Sequence, residues 1–215
     1  MALFTATRPQ QVCADQAFSQ RAPRSSVALT FSHCGMAVTD LDRMVDFYTR
    51  VLGFVVTDRG CGANGATAFL TLDPFEHHQI VMSGGRPQGA HATLRQLAFR
   101  VDRVATLRKV CAALREEKAA MNDITLEGPD LGAMSHGQSI SVYFRDPDGN
   151  RIEVFIDTPW AVPQPQRLLL DFSLCDDALW SVVAEHAQLQ PGCRPMAQLQ
   201  AEIARKLSDQ VDRYA

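Results

Sequence analysis

The chain has 215 residues, of which 46% are hydrophobic, 21% charged and 7% aromatic, a composition that excludes a disordered, fibrous or disulfide-stapled protein. Its 21 Lys and Arg against 24 Asp and Glu leave a formal charge of −3, which provides no footprint for nucleic acid or an anionic membrane surface. No apolar run approaches the roughly 20 residues of a membrane span, and six cysteines without CxxC pairing read as reduced thiols of a cytoplasmic protein.

Residues 1–28 read as an N-terminal arm, with Arg8, Arg21 and Arg24 against the one acid Asp15 and no apolar core of a secretory signal; a transit peptide is the alternative. From Leu29, LTFSHCGMAV alternates as a strand does, and Thr39-Asp40 can cap the helix LDRMVDFYTRVLGF. Met44, Phe47, Tyr48 and Leu52 recur there at the spacing of a buried face, Asp42, Arg43, Asp46 and Arg50 lie outward, and Gly53 stops the element. Three strands are predicted next, FVVTDR, ATAFLTL and HHQIVMS, with GGRPQG as an exit linker.

The same order then returns: strand LRQLAFRV, helix VATLRKVCAALREEKAA, then ISVYFR and RIEVFI. Aligning SHCGMAV with RQLAFRV sets His33 opposite Gln96 at an offset of 63, and Asp73-Pro74 meets Asp146-Pro147 at an offset of 73. The reading is an α+β protein built from a duplicated β-α-β-β-β unit over 29–157, with module one at 29–87 and module two at 92–157. TPWAVPQPQ, with three prolines, ends the double unit. Residues 158–215 then form a proline linker and a helical tail. Two amphipathic helices, within Cys175–Gln190 and Met196–Tyr214, are expected to pack on the domain or on a subunit partner.

The strongest local signal is HGQSISVYFRDPDGNRIE, from His136 to Glu153, where a strand rises to Tyr143, turns at Asp146-Pro147-Asp148-Gly149 and returns. Glu153 is a carboxylate inside an apolar strand, and a buried carboxylate needs a cation, a metal or a proton to offset its desolvation. A salt bridge to a buried Arg is the structural alternative. His33 also sits in an apolar strand, where a histidine is either a satisfied core residue or, paired with a Glu from a similar unit, a donor suited to Fe(II), Mn(II), Ni(II) or Zn(II).

Over about residues 30–157 these features resemble the vicinal-oxygen-chelate superfamily, which includes glyoxalase I, bleomycin- and fosfomycin-resistance proteins and type I extradiol ring-cleavage dioxygenases. The resemblance implies two paired β-α-β-β-β modules forming a cupped mixed sheet, here with a C-terminal helical extension, and a divalent metal held by His33, Gln96 and Glu153. The extradiol branch is favoured by the string His136, Val142-Tyr143, Asp146-Pro147, Gly149 and Glu153, filled without a gap. In that branch His136 and Tyr143 are the catalytic groups, an acid/base and a hydrogen-bond donor beside a bound catechol. The departure is Gln96, which stands where ring-cleaving enzymes place a second metal histidine and is a neutral, weaker donor. The site is then a His-Gln-Glu triad, one completed by another residue, or no metal site, with His77, His78 and Gln79 as candidates for an extra ligand or substrate contact.

The function implied is an Fe(II)-favouring extradiol-type dioxygenase that uses O₂ to cleave a catechol-like aromatic in a cytoplasmic homodimer. The alternatives are a glyoxalase-type metal-dependent isomerase or lyase acting on another oxygen-chelating substrate, and a metal-free, resistance-type small-molecule binding protein.

Overall fold

The computed structural model of the chain describes residues 30–62, 65–91, 94–121, 125–126 and 133–212. The arm at 1–28 lies outside these residues. The first module runs β1 (Cys34–Ala37), α1 (Leu41–Arg50), β2 (Val55–Gly62), β3 (Gly65–Thr71) and β4 (Ile80–Ser83). The second runs β5 (Leu97–Arg100), α2 (Val104–Met121), β6 (Thr125–Leu126), β7 (Ala133–Ser135), β8 (Ser139–Arg145) and β9 (Arg151–Asp157). The tail adds β10 (Trp160–Ala161), β11 (Leu168–Leu170), α3 (Asp176–Gln188), β12 (Arg194–Pro195) and α4 (Met196–Asp212).

Each module has its own mixed sheet, ordered β1-β4-β3-β2 in the first and β5-β9-β8-β7 in the second, where β6 also pairs with β8 and β11 from the tail extends the edge. In both modules the first strand runs parallel to the last, Cys34 opposite Ile80 and Leu97 opposite Ile152. These registers make Cys34 and Leu97 equivalent, as the offset of 63 requires. They also set Val81 at the place of Glu153 and Phe69 at the place of Tyr143. The duplication therefore does not extend to the chemistry: the carboxylate and the phenol belong to the second module alone.

Several strands are shorter than their apolar patterns suggest. β1 begins after His33, β5 after Gln96, and β4 after His77, His78 and Gln79. Just before β4, backbone hydrogen bonds from Cys34 N to the Gln79 carbonyl (3.0 Å) and from Gln79 N to the Leu70 carbonyl (2.9 Å) tie the strand entry to β1 and β3. Helix α1 is capped by Asp40, whose side chain accepts from Arg43 N at 3.0 Å, and ends at Arg50, three residues before Gly53. Past it the chain reverses through Gly53 at φ 79°, letting Phe54 N donate to the Tyr48 carbonyl.

The core lies where α1, α2 and α3 meet the two sheets. Met44, Val45, Phe47 and Tyr48 of α1, Leu107, Cys111 and Leu114 of α2, and Leu179 and Val183 of α3 are all buried in it. Burial pushes the Cys111 thiol up to about 11. Phe47 reaches across to Phe144 of β8, ring centroids 6.2 Å apart, and Phe54 to Phe99 of β5 at 5.7 Å, so the modules share aromatic packing. A polar tie accompanies it. Tyr48 donates to Asp146 at 3.1 Å, and Asp148 accepts from Thr39 N at 2.8 Å and from the Thr39 hydroxyl. Desolvation raises both the Asp146 carboxyl and the Tyr48 phenol, the latter well above its usual range. The Asp-Pro-Asp-Gly turn thus shapes a hairpin and also fastens module two to module one. The five described cysteines are free thiols, and no described helix is long and apolar enough to cross a membrane.

Candidate functional site

The hairpin geometry of β8 and β9 builds the site. The turn at 146–149 puts Arg145 opposite Arg151, and stepping back along both strands by two residues puts Tyr143 directly opposite Glu153 on the same face. Tyr143 donates to Glu153 Oε1 at 2.7 Å. Burial, and then the neighbouring carboxylate, push the Tyr143 phenol up to about 12. His136 sits at the corner between β7 and β8, where its N–H donates to the Ser139 carbonyl, and its Nε2 lies 2.8 Å from the Tyr143 oxygen. Its Nδ1 is 2.7 Å from the Gln166 carbonyl oxygen in the proline linker. A carbonyl can only accept, so Nδ1 carries a hydrogen and Nε2 is the atom turned to the phenol.

The three side chains form one hydrogen-bonded chain, His136 to Tyr143 to Glu153, on the wall of a cavity of about 550 Å³. Ala98, Phe155, Met196 and Leu199 give that cavity apolar surface, and Gln138, Ser139, Gln164 and the ion pair of Arg100 with Asp157 at 2.7 Å line it as well.

The second oxygen of Glu153 is also engaged. Gln96 Nε2 donates to Glu153 Oε2 at 2.6 Å, and Gln96 Oε1 accepts from Arg151 at 2.8 Å. The reverse amide orientation would aim oxygen at carboxylate and N–H at guanidinium, so the two partners fix which end faces which. The Arg151 guanidinium carbon also lies 3.9 Å from the centre of the Tyr143 ring, a cation–π contact. Sequence reasoning had no signal for Arg151, because its role depends on a neighbour 55 residues away.

His33 lies elsewhere. It is exposed, its ring centroid is 4.3 Å from that of His78, and its Nδ1 is 3.3 Å from the Ser32 hydroxyl. His77 and His78 touch through their Nδ1 atoms at 2.9 Å and both pack on Phe69. Loss of solvent and the neighbouring imidazoles lower the His78 pKa. Gln79 uses its Oε1 to accept from Leu72 N at 2.9 Å, closing the turn before β4. The structure therefore brings His136, Tyr143, Glu153 and Gln96 together, while His33, His77 and His78 form a separate cluster on module one.

The set His33, Gln96 and Glu153, as arranged here, does not fit a divalent metal. An amide ligates through its oxygen, and that of Gln96 is held by a guanidinium, while both oxygens of Glu153 accept hydrogen bonds and the His33 ring packs on His78. Among the described residues no group of three or more His, Cys, Asp or Glu is placed to hold a metal ion.

Two β-α-β-β-β modules of like topology, with the site on the β8–β9 hairpin of the second, define a fold of the vicinal-oxygen-chelate kind. Residues 30–154 match the model of the glyoxalase/bleomycin resistance protein/dioxygenase superfamily, and the chain belongs to it. Over 145 residues it is 32% identical to biphenyl-2,3-diol 1,2-dioxygenase 3 of Rhodococcus globerulus, covering 65% of this chain and 68% of that one. Over 133 residues it is 30% identical to biphenyl-2,3-diol 1,2-dioxygenase 2 of the same organism, covering 59% and 62%. The chain thus spans about two thirds of the length of these curated relatives. A solved glyoxalase/bleomycin resistance protein/dioxygenase from Nocardioides matches with a TM-score of 0.47 at 18% identity, covering 65% of this chain and 91% of that one.

Proposed function

We propose that the second-module cup binds a small hydroxylated aromatic through the His136–Tyr143–Glu153 chain, and that it does so without a bound metal. The observation that carries this is the arrangement around Glu153: both of its oxygens accept hydrogen bonds, and the amide oxygen that would complete a metal site is committed to Arg151. Tyr143 has a single hydroxyl hydrogen, and its contact with Glu153 uses it. The contact with His136 is then filled by a hydrogen on Nε2, or, where Nε2 is bare, by a ligand hydroxyl that enters beside the phenol and donates to Nε2. A phenolic edge suits that position. Its proton can pass to His136 Nε2, with Nδ1–H held on the Gln166 carbonyl throughout.

A second reading is metal-dependent extradiol ring cleavage with O₂, favoured by the unbroken string from His136 to Glu153 and by the similarity to biphenyl-2,3-diol dioxygenases. It requires the Gln96 amide and His33 to leave the partners they have here.

The deciding experiment is anaerobic purification, reconstitution with ferrous iron, elemental analysis, and oxygen uptake with biphenyl-2,3-diol, alongside calorimetric binding of the same diol. Binding that is unchanged by iron, with no oxygen uptake, is the expected result. Near-stoichiometric iron that is lost in Glu153→Ala, together with oxygen consumption, would establish the second reading and overturn the first.

A further inference from the structure

The tail beyond the family-matched segment supplies part of the wall of the second-module cavity. β12 pairs antiparallel with β10, Trp160 opposite Pro195 and Ala161 opposite Arg194, and Met196 N donates to the Pro159 carbonyl at 2.8 Å. Arg194 then grips Glu202, eight residues further on, with two contacts, 2.5 and 3.0 Å, which fix the direction in which α4 leaves the ladder. The consequence is that Met196 and Leu199, both half-buried, line the same cavity as Tyr143 and Glu153. Ile203 and Leu207 continue the row at successive steps of four, yet they lie outside the cavity, 46% and 58% exposed.

The linker acts on the polar wall as well. Gln164 donates to the His136 carbonyl at 2.7 Å and the Gln166 carbonyl takes the His136 Nδ1 hydrogen, so the tail orients one end of the hydrogen-bonded chain and supplies apolar surface to the cavity.

We infer that Met196 and Leu199 are the specificity-determining residues of this cup, selecting a ligand with one hydroxylated edge and an apolar body that packs on α4. This rests on the reading of the cup as the ligand site. A hydroxylated edge finds the linked His136, Tyr143 and Glu153 side chains, with Arg100, Gln138, Ser139, Asp157 and Gln164 as the other polar lining, whereas Met196, Leu199, Phe155 and Ala98 offer no donor or acceptor side chain. A ligand polar all round would leave its groups unpaired against them.

The test uses the full chain with Leu199→Trp, Leu199→Ala and, as a control on the same helix, Ile203→Trp. Two measurements are made. Calorimetric affinities for catechol and biphenyl-2,3-diol report on ligand size. The alkylation rate of a Ser139→Cys thiol in the cavity, read by peptide mass spectrometry with a bulky maleimide, reports on access without any ligand. Leu199→Trp is expected to weaken biphenyl-2,3-diol by about tenfold, catechol by less than about twofold, and to slow the maleimide by about tenfold. Leu199→Ala speeds the maleimide, and Ile203→Trp changes nothing. Measured affinities that ignore residue 199, or an alkylation rate that ignores it, overturn the inference. Should the wild type bind neither diol while alkylation still follows residue 199, α4 remains the wall of the cup and the phenolic reading falls.

Discussion

Asp148 offers a quantitative check on how the two modules are joined. Its side chain is 3% exposed and accepts from Thr39 N and the Thr39 hydroxyl, while Arg86, 13% exposed, places Nη1 3.6 Å from the carboxylate and donates from Nη2 to the Asp148 carbonyl at 3.1 Å. Arg86 Nε is buried without a hydrogen-bond partner, so the desolvation of this cation is offset mainly by Asp148. Asp148→Ala removes two hydrogen bonds to a charged group and strands the guanidinium. Breaking a buried pair on one side costs about 3–5 kcal/mol, and the longer ion-pair distance argues for the lower end, about 3 kcal/mol. Urea unfolding should show that loss as a shift in midpoint with unchanged slope, and heating should lower Tm by about 6–12 °C for a chain of this size. Adding Arg86→Met to the variant should recover part of the loss, because the uncompensated charge goes with it. A cost below about 1 kcal/mol, or strict additivity of the two changes, would refute the tie as drawn.

The Tyr143 phenol should ionise near pH 12 in the difference ultraviolet titration of wild type against Tyr143→Phe, and Glu153→Gln should bring it down only in part, since burial is the larger cause. Between about pH 10, where an unfolded tyrosine loses its proton, and 12, the native chain holds a proton the unfolded chain has lost, so stability falls as pH rises. Tyr143→Phe should remove that part of the decline. Gly137 has φ 77°, and an added Cβ would meet Val162 side-chain carbons at 2.7 and 2.9 Å, so Gly137→Ala should cost about 1–3 kcal/mol in urea and weaken ligand binding through the adjacent His136. Gln96→His alone should leave the protein without retained zinc or cobalt, whereas Gln96→His with Arg151→Met should acquire Glu153-dependent retention. Stoichiometric metal in the wild type would contradict this.

Much of this architecture could be read from residue patterns, for identifiable reasons. The helix stripes and the repeated strand order are local, and the offset of 63 reappears as the paired parallel registers of β1 with β4 and β5 with β9. The meeting of Tyr143 with Glu153 was legible too, because a turn of known length fixes which residues of a hairpin face each other. What escaped were partners set by distant chain: Arg151 on Gln96, Asp148 on Thr39 and Arg86, Gln166 on His136, and α4 over the cavity. Apolar patterning also overestimated strand length. His33 and Gln96 each stand one residue before their strands, where side-chain direction is not set by a ladder, and the two turn to different neighbours.

The carboxylate of Glu153 poses a question that a sequence can raise but not answer. A partly buried negative charge must be met by a metal, a proton or a cation, and each leaves the same letter in an apolar strand. Here the balance is assembled from neutral donors backed by a cation: a phenol on one oxygen, an amide on the other, and a guanidinium behind the amide and over the phenol ring. A neutral histidine at position 96 also carries one donor and one acceptor, but once its acceptor nitrogen ligates a metal nothing is left on the ring to accept from Arg151. Gln96 and Arg151 therefore act as a pair. On the metal-free reading proposed above, the departure from the ring-cleaving pattern is coherent with its surroundings, the charge of Glu153 being met by the chain's own groups.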